Sequence, residues 1–342
     1  MKTIFAVDDS DTNLSMVETA LEDIYNVMTI PSAAKMFEML GKITPDVILL
    51  DIEMPGMNGF ETIKILKSSN PWADIPVIFL TGRNDPAVEV QGLEHGAVDF
   101  ITKPFSEIVL QKRIMIHLNI DRLIRERTEQ LTQLQNSIMY VLSDMVENRD
   151  KGTKGHVDRI TLYIRLMIDE IKRRGLYQDE IQDWDEEKFT FSTRMHDLGK
   201  ISVSDIILNK PGKLTEEEFE MMKTHASEGE RIIDEIMART GEGDFLHYAK
   251  LFAGFHHERW DGTGYPRRLK GTEIPLQGRL LAVADVYDAI VSDRPYHKAL
   301  THDEAVKIIM ESAGTQFDPN ITGIFFELKD QFKKITEMNN KK

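Results

Sequence analysis

From Ser106 to Asn148 the sequence contains neither proline nor glycine. Proline removes a backbone donor and glycine costs backbone entropy, so a long stretch without either predicts one unbroken helix. Along it Ile120, Ile124, Leu131, Leu134, Ile138, Val141 and Met145 alternate spacings of three and four, with Arg127 filling one slot. That is a seam of ~3.5 heptads, close to the shortest that holds a coiled coil. Two arrangements satisfy it: a helix packed along its own domain, or a parallel dimer whose rigid helices transmit a twist or register shift that a Gly/Ser tether could not. Residues 121–148 thus form a connector between two stretches of different patterning.

In residues 1–120, "TIFAV", "DVILLD" and "PVIFLT" read as buried strands, and "NLSMVETALED", "AAKMFEMLGK" and "GFETIKILKSS" as the helices between them. The alternation predicts parallel strands with helical crossovers, a doubly wound α/β domain whose crevice lies at the carboxyl ends of the strands. Asp8 and Asp9 follow the first strand, Asp51 ends a later one, Thr81 another, and Lys103 follows "DFI". Clustered carboxylates repel one another unless a cation sits among them, and Mg²⁺ with its oxygen preference suits the cluster. The ion and Lys103 would neutralise phosphate oxygens while the Asp51 carboxylate attacks phosphorus.

The acidic pair Asp8-Asp9, "DIEMPGMNGFE" around Asp51, Thr81-Gly82 and "KPF" from Lys103 together resemble a response-regulator receiver domain, over roughly the first 120 residues. The resemblance implies a flavodoxin-like parallel sheet and Asp51 as phosphoacceptor. It implies Mg²⁺ on Asp8, Asp9, Asp51 and the backbone carbonyl of Glu53, and Thr81 and Lys103 sensing the phosphoryl group. Phe100 takes the aromatic switch position, Lys103–Pro104 is expected to be cis, and the partner is a cognate sensor histidine kinase.

Beyond residue 149 the helical period dominates and strand signals nearly vanish. "RITLYIRLMIDEIKRRG", "EEEFEMMKTHASEGERIIDEIMART", "LQGRLLAVADVYDAIVS" and "HDEAVKIIMESAG" read as helices, with "SDRPYHKAL" and "FDPN" as loops. Residues 149–342 are therefore expected to be all-α, with any site assembled from facing helices. Among ten histidines, His156, His196, His225, His256 and His257 are placed to bind metal together. Asp197 adjoins His196, and Asp285 sits in the apolar run "LAVADVYDAIV", where an unpaired carboxylate is costly. There is no cysteine. A histidine and carboxylate set without thiolates suits two divalent transition metals such as Fe, Mn or Zn. Two such ions about 3.5–4 Å apart are common machinery for phosphoester hydrolysis. Asp197 is the candidate bridging carboxylate, and Lys200, one turn on, is the candidate cation for the leaving oxygen or phosphate.

"HDLGK" together with "HHERWDGTGYP" is similar to the HD-GYP family of metal-dependent phosphodiesterases, and the likeness runs over about residues 140–325. It implies hydrolysis of cyclic di-GMP to linear pGpG or GMP. The implied ligands are His156, His196, Asp197, His225, His256, His257 and Asp285. Gly264, Tyr265 and Pro266 would form the loop that accepts a guanine nucleotide, and Asp288, Arg294 and His297 would face it. Two positions depart from the pattern. His297 stands where many relatives carry Arg or Lys, and Gly152 stands where some hold a third metal through a glutamate. Two metals are therefore expected, with Glu147 and Asp150 the neighbouring carboxylates able to reach in. The alternatives are a catalytically silent nucleotide-sensing or partner-docking module, and an HD phosphohydrolase acting on another cyclic dinucleotide. The intact ligand set speaks against the first and the "GYP" loop against the second.

The net charge of −15 argues against duplex nucleic acid or an anionic membrane as the main partner. No apolar run approaches the ~20 residues that span a bilayer. The N-terminal "MKTIFAVDDS" reads as a strand entering an acidic site rather than a signal peptide. A soluble, cytosolic protein is expected, dimeric through the connector.

Overall fold

The computed structural model describes residues 1–69, 71–82, 86–150, 155–241, 243–293 and 298–339, so Gly152, Arg294 and His297 lie outside the described residues. The chain forms two compact units, Met1–Thr132 and Gln133–Lys342.

In the first unit the elements run β1 (Thr3–Val7), α1 (Asp11–Leu21), β2 (Asn26–Ile30), α2 (Ala33–Leu40), β3 (Val47–Asp51), α3 (Gly59–Ser68), β4 (Val77–Thr81), α4 (Pro86–Glu94) and β5 (Asp99–Thr102). All strand pairs are parallel, in the order β2-β1-β3-β4-β5. Side chains alternate faces along a strand. Ile4, Ala6, Val47, Leu49, Ile78 and Leu80 pack on one face with Leu14, Val17 and Leu21 of α1. Phe5, Val7, Ile48, Leu50, Val77 and Phe79 pack on the other with Met36 of α2 and Ile63 and Leu66 of α3. Burial on both faces explains why β3 and β4 read as continuous apolar runs. The edge strand β2, which pairs only with β1, is fully buried at Ile30 alone, and its weak pattern hid it from the sequence reading.

Helix α5 (Glu107–Arg149) is continuous over 43 residues, as the absence of breakers predicts. Leu110 and Ile114 near its start are buried in the first unit's core, and Val146 near its end in the second unit's. The seven apolar seam residues are 47–62% exposed, so the chain itself buries none of them.

The second unit is helical: α6 (His156–Arg174), α7 (Gln178–Ile181), α8 (Glu186–Ser192), α9 (Asp205–Leu208), α10 (Glu216–Thr240), α11 (Asp244–Phe255), α12 (Leu276–Val291), α13 (His302–Glu311) and α14 (Pro319–Asn339), with 3-10 turns at Thr193–Met195 and Leu198–Ser202. Its main core joins Ile160, Tyr163 and Met167 of α6 to Leu280, Val283 and Tyr287 of α12 and to Phe325 and Phe332 of α14. Tyr163 and Phe332 stack with centroids 4.3 Å apart. Truncating such an aromatic side chain to alanine costs about 3–5 kcal/mol. The segment "FDPN" is only half a loop. Asp318 Oδ1 accepts the Asn320 amide at 2.8 Å, and Pro319 opens α14, the first-turn position where its missing N–H goes unneeded.

Candidate functional site

In the first unit the chain leaves β1 and β3 on opposite sides of the point where strand order reverses, which opens a crevice at their carboxyl ends. Asp8, Asp9 and Asp51 bring carboxylate oxygens within 4.8 Å of one another there. Lys103 Nζ lies 2.5 Å from Asp8 Oδ2 and 2.6 Å from Asp51 Oδ1. Asp8 is held in place by the Ser10 amide at 2.9 Å and the Asn13 amide group at 3.0 Å. Burial pushes the Asp51 carboxyl above its ordinary range, with Lys103 opposing the shift. An all-oxygen cluster carrying more negative charge than one lysine neutralises fits Mg²⁺. Thr81 ends β4 and is buried. Phe100 is also buried, its ring 5.4 Å from Phe79. Glu53 is exposed just beyond β3, and Lys103–Pro104 is cis.

In the second unit, helix ends supply most of the site. His156 opens α6, His196 and Asp197 lie between the 3-10 turns, His225 is within α10, His256 and His257 follow α11, and Asp285 is in α12. The rings are oriented from behind. His196 Nδ1 donates to Thr193 O at 2.8 Å, His225 Nδ1 to Met222 O at 2.7 Å, and His256 Nδ1 to Phe252 O at 2.9 Å. A carbonyl can only accept, so each Nδ1 carries the proton and each Nε2 offers a lone pair. The lone pairs of His225 and His256 face each other. His225 Nε2 is 3.3 Å from His256 Nε2 and 3.1 Å from His257 Nε2. Two bare acceptors at that distance repel unless a cation lies between them. The Nε2 of His196 is buried and makes no hydrogen bond. The donors fit metal ions.

They fall into two groups, His225, His256 and His257 in one and His156, His196 and Asp285 in the other. Asp197 stands between them. Its Oδ2 is 3.3 Å from His196 Nε2, and its Oδ1 is 3.6 Å from His225 Nε2 and 3.9 Å from His256 Nε2. Lys200 Nζ is 2.8 Å from Asp197 Oδ2. Burial alone would raise the Asp197 carboxyl, but the Lys200 charge, then His196, hold it well below the usual carboxylate range. Burial, aided by neighbouring imidazoles, pushes His256 down to about 3 and lowers His257 and His225 as well, so these rings stay neutral ligands.

The "GYP" loop folds back onto this centre. A Cβ on Gly264 would lie 2.3 Å from the Arg259 amide nitrogen and 2.6 Å from the His257 carbonyl, so only glycine permits the approach. The Tyr265 amide then donates to that carbonyl at 3.1 Å, and Tyr265–Pro266 is cis. Glu258, missed by sequence reasoning, is buried and accepts the Arg267 amide at 2.6 Å and the Leu269 amide at 3.0 Å, closing the loop. Tyr265, Asp285, Lys200 and Asp197 line a cavity of about 490 Å³, which Lys210 and Lys213 also border. Gly264 and Pro266 line a second one of about 740 Å³ on the Arg259 and Arg268 side.

One expected substrate contact is corrected. Asp288 is fully buried and lines neither cavity. Its carboxylate accepts from Arg159 Nε at 2.6 Å, Arg159 Nη2 at 2.8 Å and His156 Nδ1 at 2.7 Å. Residues three apart diverge by about 60° around a helix, so Asp285 points at the cavity while Asp288 points at α6. Arg159, also missed, had a faint signal, an arginine one turn after His156 on the apolar side of α6.

Comparison with known proteins agrees with both units. The HD domain family model matches residues 140–321, more than half the chain, and the response regulator receiver domain model matches 4–115. The chain belongs to the HD-domain response regulators. This HD-domain response regulator is 35% identical to a Vibrio cholerae protein named "Probable cyclic di-GMP phosphodiesterase", over 98% of the chain and 79% of the relative. It is 31% identical to the cyclic di-GMP phosphodiesterase response regulator RpfG of Xanthomonas campestris, over 97% and 89%. It is 32% identical to a cyclic di-GMP phosphodiesterase of Thermotoga maritima, over 98% and 92%. Among the described residues, no helix of this regulator is long and apolar enough to cross a membrane.

Proposed function

We propose that this regulator is a phosphorylation-controlled phosphodiesterase that hydrolyses cyclic di-GMP to pGpG, GMP or both. The observation that carries the reading is the Asp197 carboxylate, one oxygen turned to each histidine group, at a cavity beside Tyr265. His156, His196 and Asp285 would hold one divalent ion, His225, His256 and His257 the other, with Asp197 shared. Iron and manganese suit these nitrogen and oxygen donors. When bound, the pair supplies Lewis-acid chemistry toward the phosphodiester and an attacking water. The protein's own groups do the rest. Lys200 presents its ammonium where a phosphate or leaving oxygen gains charge, Tyr265 offers a flat face to a base, and Arg294 and His297 would complete the phosphate contacts.

In the receiver, Asp51 takes a phosphoryl group from a sensor histidine kinase with Mg²⁺ on Asp8, Asp9, Asp51 and the Glu53 carbonyl. Thr81, Lys103 and Phe100 respond. The exposed seam on α5 supports a parallel homodimer, residues 1–120 acting as receiver, 121–148 as connector and 149–342 as output. A chain without cysteine that accepts a kinase's phosphoryl group fits the cytoplasm.

Purified protein loaded anaerobically with iron or manganese is assayed on cyclic di-GMP against a panel of other cyclic dinucleotides. Turnover of cyclic di-GMP that disappears in Asp197→Ala, while Asp51 still accepts phosphate, supports the reading. Binding of cyclic di-GMP without turnover would instead make the chain a sensing module, and preference for another dinucleotide would change the substrate.

A further inference from the structure

The last turn of α5 is built into the hydrolytic site. Val146 is buried with Met195 and Leu198, which flank His196-Asp197. Glu147 accepts the His156 amide at 2.7 Å, at the start of α6. Arg149 spreads its guanidinium over the carbonyls of Ile201 and Val203, 3.1 Å from each, and pairs with Asp205 at 2.8 Å. It thereby grips the segment that follows Lys200. Asn209 returns a bond to the Arg149 carbonyl at 2.9 Å. Asp150, the first residue past the helix, reaches Lys200 Nζ at 2.8 Å.

That ammonium is the same distance, 2.8 Å, from Asp197 Oδ2. The result is a carboxylate–ammonium–carboxylate row whose side chains are each 16% exposed or less. Where little water reaches, a charge held from one side follows its single partner, while a charge held from two sides has one position. Among the described residues, the side chains whose donor atoms gather for a metal ion do not include Asp150.

We propose that Asp150 is a positioning residue of the phosphodiesterase site. It fixes Lys200, and through Lys200 the orientation of the Asp197 carboxylate, so the C-terminal turn of the connector helix sets the geometry of the reaction centre. This rests on the phosphodiesterase reading above.

The test uses the full-length, manganese-loaded protein with cyclic di-GMP as substrate. Wild type, Asp150→Asn, Asp150→Glu, Lys200→Gln and the Asp150→Asn/Lys200→Gln double variant are compared by bound metal, unfolding midpoint, kcat and KM. Asp150→Asn is expected to lower kcat about 10–100-fold, the span that groups supporting metal ligands carry, with KM within about twofold and bound metal unchanged. Asp150→Glu should recover part of the loss. Because Asp150 acts through Lys200, the double variant should be no slower than Lys200→Gln alone.

Wild-type kcat in Asp150→Asn, or losses that multiply in the double variant, overturn the assignment. Metal lost in step with activity would make Asp150 a ligand instead. Loss of fold in both Asp150 variants would make it structural. If only Asp150→Asn fails to fold, Asp150→Glu decides: lowered kcat at unchanged KM and metal content supports the role, and wild-type kcat overturns it. A loaded wild-type protein that cannot hydrolyse cyclic di-GMP sinks the phosphodiesterase reading itself, and this inference with it.

Discussion

Tyr265 stacks on His257, with ring centroids 4.7 Å apart and planes inclined at 29°. A loop residue thus rests directly on a candidate metal ligand, and its ring also meets Phe219 edge-on at 6.5 Å. Recognition loop and metal centre form one packed unit. An aromatic pair of this kind contributes about 0.5–1.5 kcal/mol beyond buried area. Tyr265→Ala should raise KM for cyclic di-GMP about tenfold, the equivalent of ~1.4 kcal/mol, with bound metal retained, whereas Tyr265→Phe should stay near wild type. Steady-state kinetics with metal analysis checks this. An unchanged KM in Tyr265→Ala would remove the tyrosine from substrate recognition.

Asp51 lies 2.6 Å from Lys103 and is the buried carboxylate at the end of β3. Asp51→Asn should abolish labelling by a small phosphodonor and leave metal content of the output domain unchanged. Mass spectrometry of the intact protein reads the added phosphoryl group. Labelling that persisted would move the acceptor to Asp8 or Asp9.

Asp288 joins His156 to Arg159 in a buried ion pair. Removing one partner of such a pair costs about 3–5 kcal/mol, because the other charge is left buried and alone. Asp288→Asn should lower unfolding stability by that order in urea titrations and weaken metal retention, since the amide leaves one acceptor oxygen where the carboxylate gave His156 and Arg159 two. A double change with Arg159→Met should recover part of the stability, because no buried guanidinium is then left without its carboxylate. If Asp288→Asn is as stable as the parent and changes only KM, the original expectation of a substrate contact returns.

Acidification provides a test without substitution. His225, His256 and His257 are held below the ordinary histidine value of 6.5, chiefly by burial. The unfolded chain therefore takes up protons first, and stability contributed by these rings falls as pH drops through about 6.5 and on toward the folded values. His196 is shifted upward, with Asp197 overcoming burial, so its contribution has the opposite sign. Three rings outweigh one. The chelator-treated protein should lose thermal stability steadily from pH 7.5 to 5. A flat or rising midpoint over that range would show that these imidazoles are not kept neutral by the fold.

The seam on α5 can be tested at its middle, where Leu134 is 57% and Ile138 48% exposed. Charged residues in both places should convert a dimer to monomer in sedimentation and uncouple hydrolysis from Asp51 phosphorylation, with each domain's own chemistry intact. A double variant that stays dimeric and keeps its response places the coupling elsewhere.

Local pattern was enough for much of this protein. Apolar runs alternating with amphipathic stretches determined a parallel sheet with helical crossovers, because a strand buried on both faces must be apolar throughout. The breaker-free stretch determined the long α5, and residue chemistry together with the family resemblance nominated His156, His196, Asp197, His225, His256, His257 and Asp285. What pattern could not supply was direction. Periodicity says which side of its own helix a residue occupies, but not which neighbour meets that side. Asp288, a substrate contact by family resemblance, is turned by the packing of α6 on α12 to Arg159, 129 positions away. Asp150 and Lys200, 50 positions apart, likewise carry no local mark of their pairing. The edge strand β2 escaped for a related reason, since a strand with one neighbour is not required to be apolar. Above all, only tertiary packing decided that the buried Nε2 lone pairs of His225 and His256 face each other beside Asp197, a repulsive arrangement that a bound cation relieves.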